Sequence, residues 1–341
     1  MHALRRIFLT ERKFFITGGA GFLGSYIVHT LMKRGIPVVL LDSFIRYYPL
    51  MESDAELYQL YLRKRFQILL ENTEVLRVDT RAKDHLRRII LEHQPTHIIH
   101  LAALPLANLS NIYTEEAVEN ILNSTLNLLE IIRDVDFVER FVFTSSSMVY
   151  GDFHKIPAGE EHPKNPKNIY GGAKYSGEIM TQVFGQRYDI EYTIIRPSAV
   201  YGPTDVNNRV SQIFVQNALM GKPLILKGAE SALDFSYVED VAEGFVQAAL
   251  EPDGANQVFN ITNGEGRTLG EYADILSGMI PSVEVIEEET EESIPKRGAL
   301  DIGKAREMIG YDPKHTLEMG LEKYVAFVKE CIEELKVKKR G

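Results

Sequence analysis

The stretch FFITGGAGFLG, residues 14–24, passes from a short apolar run through a glycine-rich turn into the first residues of a longer amphipathic segment. A strand, such a turn and a helix in that order suit a dinucleotide. One glycine makes the tight turn, a second lets backbone approach a pyrophosphate, a third lets the helix pack closely, and the helix N-terminus faces the phosphate charge. Gly18, Gly21 and Gly24 fill those places, with Phe22 and Leu23 opening the helix. A glycine pattern alone is a weak signal, and it gains weight from a second strand that ends in an acid. A helix over 22–34 is closed by Gly35, a strand over 37–41 comes next, and Asp42 ends that strand. A carboxylate there accepts hydrogen bonds from an adenosine ribose and repels a 2'-phosphate, which favours NAD over NADP. Arg46 nearby tempers that preference.

Working outward, short apolar runs alternate with longer amphipathic ones up to about residue 200. Strands are predicted over 75–78, 96–101, 140–145 and 192–196, with a helix over 114–133 among the intervening segments. This is the rhythm of βαβ units with right-handed crossovers. The fold class is therefore α/β: a Rossmann-type doubly wound parallel sheet with a smaller, mixed α/β C-terminal substrate lobe. The expected division gives 1–200 to the dinucleotide-binding domain, with 236–262 returning to it, and 201–235 plus 263–341 to the substrate lobe. The link from Asp42 to Val75 is too long for a bare loop, and its portion YYPLMESDAELYQLYLRKRFQILLE is predicted to be an extra helix. Past residue 200, loops rich in Gly, Pro and Asn surround an apparent strand at 223–226. The acidic run EVIEEETEES, 284–293, reads as a solvated loop.

Composition narrows the function classes. A chain of 341 residues, 45% hydrophobic, can build a substantial core. A formal net charge of -10 argues against a nucleic-acid binder, and the basic tail KVKKR, 336–340, reads as a solvated helix end. Cys331 is the single cysteine, so there is no internal disulfide framework, and a reducing compartment fits. No apolar run approaches the roughly 20 residues of a membrane span. The opening MHALRRIFLTERK is too short and too charged for a signal peptide. A cytoplasmic protein without a membrane partner is the expectation. His93, His97 and His100 lie in HQPTHIIH, a turn followed by a strand without metal-ligand spacing, so packing is expected there and no metal.

In NIYGGAKYSGE, 168–178, Tyr170 and Lys174 stand four residues apart at the start of a helix, which puts both on one face. With TGxxGxxG, this Tyr-xxx-Lys pair resembles the extended short-chain dehydrogenase/reductase family over nearly the whole chain. The resemblance extends to VDT (78–80), HLAA (100–103), TSSSMVYG (144–151), RPSAVYGP (196–203), DFSYVEDVA (234–242) and LDIGKAREMIGYDP (300–313). It is closest to the UDP-glucuronate and UDP-glucose 4-epimerases, from the SSS pattern and the YYP after the second strand. It implies an N-terminal NAD-binding lobe, a C-terminal lobe holding a nucleotide sugar, and a homodimer through a helix bundle. It also implies Asp79 as an adenine contact, and Leu101, Ala102, Ala103 and Pro197 as cofactor contacts.

The implied chemistry is a triad. Counted back from VYG, the catalytic hydroxyl falls on Ser146, with Ser147 beside it as a further substrate contact. Tyr170 takes a proton from a sugar hydroxyl while the nicotinamide C4 accepts hydride from the same carbon. A phenolate near neutral pH needs a downward shift of roughly 3 units, about 4 kcal/mol; Lys174 and the oxidised nicotinamide are expected to supply it, with Lys174 also holding the ribose. Related dehydratases carry an Asp-Glu pair after the hydroxyl, and decarboxylases a Glu. Here Ser147 and Met148 stand there, which leaves epimerisation by oxidation and hydride return, most often at C4. Two positions depart from the pattern, Ala199 where an Asn is common and Leu233 where an Arg is common. Arg209 and Arg297 are then the candidates to hold the diphosphate. Asn120 lies one residue out of the register of a family helix Asn, with Ile121 at that position, and is left out of the site. Two alternatives stay open: a dehydrogenase that releases its keto-sugar, and a non-catalytic dinucleotide sensor on the same fold.

Overall fold

A computed structural model of the chain describes residues 12–45, 52–289 and 295–338. Arg46, the YYP stretch, most of the N-terminal segment, the end of the acidic run from 290 on and the last basic residues lie outside these; the described part of the acidic run, expected as a loop, holds an exposed strand at Val285–Glu288 that pairs with Leu224–Lys227. Element order is β1 Phe14–Thr17, α1 Phe22–Lys33, β2 Val38–Asp42, α2 Glu52–Ile68, β3 Glu74–Arg77, α3 Lys83–His93 and β4 His97–His100. Then come α4 Ala107–Ile112, α5 Thr114–Val118, α6 Ser124–Arg133, β5 Arg140–Thr144, α7 Ile169–Tyr188 and β6 Tyr192–Arg196. The remainder holds β7 Val200–Tyr201, α8 Val210–Leu219, β8 Leu224–Lys227, β9 Ala232–Leu233, β10 Ser236–Tyr237, α9 Val238–Leu250, β11 Gln257–Asn260, β12 Arg267–Thr268, α10 Leu269–Met279, β13 Val285–Glu288, α11 Gly303–Ile309 and α12 Leu317–Lys338.

Seven parallel strands form the central sheet in the order β11-β6-β5-β4-β1-β2-β3. Apolar residues on successive positions serve opposite faces, as the period of 2 requires. Phe14 and Ile16 enter one core with α1 and α9 residues, while Phe15 enters the other with Leu86, Leu128 and Phe143. Both faces are covered, which is why β1, β4, β5 and β6 are rich in apolar residues and wholly buried. The order reverses between β1 and β4, and the crevice above that switch point is where such sheets take ligands.

A third core gathers α2, α8, β8, α10 and α12 around Tyr61, Phe214, Tyr272, Leu321 and Tyr324, with Cys331 buried among them. The expected boundary is crossed twice. Leu57, Leu60 and Tyr61 of α2 pack into this core, whereas Ile302, Ala305, Ile309 and Tyr311 pack onto the sheet with β11 and α9. Amphipathic segments insert where an apolar face is open, whatever their place in the chain. His97 stacks on Phe14 at 4.6 Å, and His100 bonds Thr17 Oγ1 through Nδ1 at 2.7 Å. Burial pushes both imidazoles down to about 3, so they serve the interior as neutral rings.

Candidate active site

The switch point opens into a cavity of about 740 Å³. Its walls include Gly18, Gly21, Phe22, Leu23, Gly24, Asp42, Asp79, Leu101, Ala102, Ala103, Pro197, Ser146, Tyr170, Lys174, Arg209 and Arg297. Of the residues singled out in the sequence, Ser147 alone is not on this wall. Its hydroxyl donates to Ser198 Oγ at 3.1 Å, because the helical turn that starts after Ser146 carries it behind the strand ends.

At one end the glycine turn is built for close approach. Gly18 holds φ +70°, and a Cβ there would meet Ala102 N at 2.9 Å, while a Cβ at Gly24 would run into the Gly18 carbonyl oxygen. Helix α1 starts at Gly21 with no side-chain cap and no acidic residue in its first turn, so its positive end remains for an anion. Asp42 accepts from Ala20 N at 3.1 Å and Phe44 N at 2.8 Å; burial raises its pKa and these bonds oppose the rise. Asp79 is held below the usual range by the Arg81 guanidinium, 2.8 Å away. A glycine cradle, a free helix end and an acid at the end of β2 are the parts that a dinucleotide needs, and these residues fit NAD.

Helix α7 carries the reacting end, capped by Asn168, whose side chain accepts from Gly171 N at 2.8 Å. One turn in, Tyr170 and Lys174 face the cavity together. Lys174 Nζ donates to the Thr144 carbonyl at 2.7 Å and lies 5.8 Å from the Tyr170 ring centroid. Burial lowers Lys174 to about 7, with Glu178 pulling the other way. Glu178 is itself clamped by Arg196, whose Nε and Nη2 donate at 2.8 and 2.6 Å, and it accepts from the Ser145 hydroxyl. Burial raises Tyr170, while the Arg209 charge and a hydrogen bond with Ser146 lower it. The Arg209 charge thus acts on the phenol, while Lys174, close to the ring, has its ammonium bonded to the Thr144 carbonyl.

Arg209 pairs with the buried Asp205 at 3.5 Å. Arg297 is different: its Nη1 rests 3.2 Å from Met148 Sδ, its Nε has no partner among the described residues, and burial lowers its pKa. Ala199 and Leu233 also line the cavity, so the departures noted in the sequence face the same space as these arginines.

Sequence reasoning missed two groups. Asn120 lines the cavity because the helical run predicted over 114–133 contains a π turn, Glu119–Asn123, whose wider loop shifts the register by a residue. The other group is the wall contributed by α2, including Tyr58, Arg65 and Phe66. Its helix was legible, but nothing local said which face would meet the ligand.

The sequence profile of the NAD dependent epimerase/dehydratase family matches residues 14–262. A putative UDP-glucose 4-epimerase of Methanocaldococcus jannaschii is 31% identical over 322 residues, covering 92% of this chain and 97% of that protein. UDP-glucuronate 4-epimerase 1 of Arabidopsis thaliana is 29% identical over 335 residues, covering 91% and 75%. The crystal structure of UDP-glucuronic acid 4-epimerase from Bacillus cereus, in complex with UDP-glucuronic acid and NAD, superposes with a TM-score of 0.84 at 27% identity, covering 93% of this chain and 99% of that one. The chain therefore belongs to the NAD dependent epimerase/dehydratase family, and within it to the NAD-dependent nucleotide-sugar epimerases of the extended short-chain dehydrogenase/reductase type.

Proposed function

We propose that the protein is a nucleotide-sugar 4-epimerase that keeps its NAD bound through the cycle. The carrying observation is Met148, which lines the cavity two residues after Ser146 and cannot titrate. Elimination of water needs an added acid and base at that point, and the protein has only a thioether there. The relatives named for UDP-glucose and UDP-glucuronate make a UDP-sugar the first substrate class to try.

When bound, NAD supplies the hydride acceptor and donor. Tyr170 takes the proton of the sugar 4-hydroxyl and returns it to the same oxygen once C4 has been reduced again from its opposite face. Ser146 orients that oxygen by hydrogen bonding and steadies the phenolate. The Arg209 charge favours the phenolate as well. Lys174, bonded to Thr144 O, holds the cofactor's ribose in this reading. Arg297, with an unspent guanidinium nitrogen and no described carboxylate paired to it, supplies the bidentate partner that the diphosphate requires. We further propose a homodimer formed on α7, whose outward face exposes Ile179, Met180 and Val183; helix α4, which packs against α7, exposes Ile112. Val183→Glu is expected to halve the native mass. The single, buried cysteine agrees with a cytoplasmic setting, and no helix among the described residues is long and apolar enough to cross a membrane.

The deciding experiment incubates the purified protein, without added NAD, with UDP, GDP, dTDP and CDP sugars. Products are separated by chromatography and weighed. A new peak of unchanged mass is expected. A product lighter by two hydrogens identifies a dehydrogenase, and loss of water or carbon dioxide overturns the argument from Met148. Unchanged substrates throughout, together with full biological activity of Tyr170→Phe, identify a sensor.

A further inference from the structure

Arg65 sits in the last turn of α2 and is 3% exposed, yet it is part of the cavity wall. Its Nη1 donates to the Ala20 carbonyl at 2.9 Å and its Nη2 to the Thr204 carbonyl. Its Nε is buried and has no partner. Among the described residues no carboxylate pairs with it. The two acids that act on it from a distance are otherwise engaged: Asp205 takes Arg209, and Asp42 takes the backbone of Ala20 and Phe44. A full positive charge is therefore held in the interior with carbonyl dipoles as its only direct partners among the described residues. Isolated buried charges are costly unless an anion compensates them. The place where an anion is due adjoins it, because Ala20 lies in the glycine turn between Gly18 and the uncapped start of α1.

We propose that Arg65 is a cofactor-anchoring residue that acts across the Ala20 turn as the counter-charge to the dinucleotide's diphosphate. The inserted helix α2 thereby adds a fixed cation to a glycine turn that otherwise meets phosphate with backbone N–H groups alone. Burial depresses the pKa of the guanidinium in the cofactor-free chain, which accords with a charge awaiting its partner. The inference rests on NAD as cofactor and is independent of which sugar is turned over. A competing role is purely mechanical, a strut tying Ala20 to Thr204.

Charge and strut separate in paired variants. Arg65→Lys keeps the charge and cannot span both carbonyls; Arg65→Gln and Arg65→Met remove the charge. The readouts are the NAD dissociation constant by calorimetry on protein freed of nucleotide, the NAD retained on purification, and thermal unfolding with and without NAD. The expected result is a Kd within threefold of wild type for Arg65→Lys and at least tenfold weaker for the neutral variants, with the NAD-induced rise in Tm shrinking in the same order. Equal weakening in all three variants, with unfolding midpoints lowered alike whether NAD is present or absent, assigns the strut and overturns the proposal. So does an unchanged Kd in all three. Should the neutral variants fail to fold, Arg65→Lys decides alone: a tenfold loss of NAD affinity at an unchanged cofactor-free midpoint overturns it. Sugar turnover does not enter these readouts, so they stand whether or not the 4-epimerase assignment does.

Discussion

The two ends of the cavity solve one backbone problem by opposite means. In the glycine turn at the cofactor end the left-handed residue is a glycine, Gly18 at φ +70°, which enters that region without a Cβ penalty; Phe44, just past Asp42, is the exception there at φ +56°. Towards the substrate end, Ala199, Thr204 and Asn208 hold φ of +35°, +69° and +52°. Side chains with a Cβ resist that region by roughly 1 kcal/mol or more each. Two distant residues brace the segment, the Tyr26 hydroxyl donating to Pro203 O at 3.1 Å and Arg65 to Thr204 O, and a local bond from Asn208 N to Gln212 Oε1 at 2.8 Å adds to them. One end is written in eleven consecutive residues. The other is imposed by contacts from up to 177 positions away.

Gly24→Ala breaks the first end most severely. The added Cβ collides with the Gly18 carbonyl, and backbone cannot yield as a flexible side chain does. Overpacking of this kind costs about 1–3 kcal/mol or more, and a turn displaced from its phosphate loses about 100-fold in NAD affinity on the basis that 1.4 kcal/mol is a factor of ten. Calorimetry reads it. Binding within threefold of wild type would mean that the cradle is not where the dinucleotide lies.

Arg297→Met tests the second end alone. Loss of charge-assisted bonds worth about 1.5–3 kcal/mol is expected to raise KM for the nucleotide sugar by about 10- to 100-fold, with the NAD dissociation constant unchanged. If the NAD constant moves by the same factor, the two ends are not separable as drawn.

This asymmetry explains what could be read in advance. The glycine turn, Asp42, and the Tyr170–Lys174 pair depend on i to i+4 geometry and on strand-turn-helix order, which local sequence encodes. The bounds of β1 and β6 are legible because both sheet faces are covered and both strands are dominated by aromatic and β-branched residues. Asn120 was missed because a π turn shifts the helical register without leaving a compositional mark. Ser147 was placed on the wall because the three serines look alike until the turn after Ser146 sends one of them to Ser198. The packing of α2 and α11 across the expected boundary depends on which apolar faces lie open in three dimensions.

Between the two ends stands Lys174, which offers a pH test. Its folded pKa, about 7, is below the ordinary 10.5 because burial disfavours the ammonium. Across the window from about 7 to 10.5 the unfolded chain binds the extra proton, so stability of the cofactor-free protein rises with pH there, by up to about 1.4 kcal/mol per unit. Below about pH 7 both states are protonated and the dependence vanishes. Denaturant unfolding at pH 7 and 9 should show the rise in wild type and its loss in Lys174→Met. Parallel pH dependences in the two would leave the amine unburied in solution.

The smallest effect is at Ala199 and concerns strain alone. At φ +35° alanine is outside its comfortable region, whereas asparagine enters positive φ several-fold more often. Ala199→Asn should therefore stabilise the cofactor-free protein by about 0.5–1 kcal/mol, the size of a compatible backbone substitution, provided that the polar amide stays on the cavity wall where Ala199 now is. Ala199→Gly, which relieves the same strain but loosens the unfolded chain, should gain less. The order Asn above Gly above wild type in urea midpoint would place the strain in residue 199 itself. A destabilised Asn variant would mean that the bonds from Tyr26, Arg65 and Gln212 have already relaxed the segment, and that the left-handed geometry at the substrate end is a resting conformation rather than one held under load.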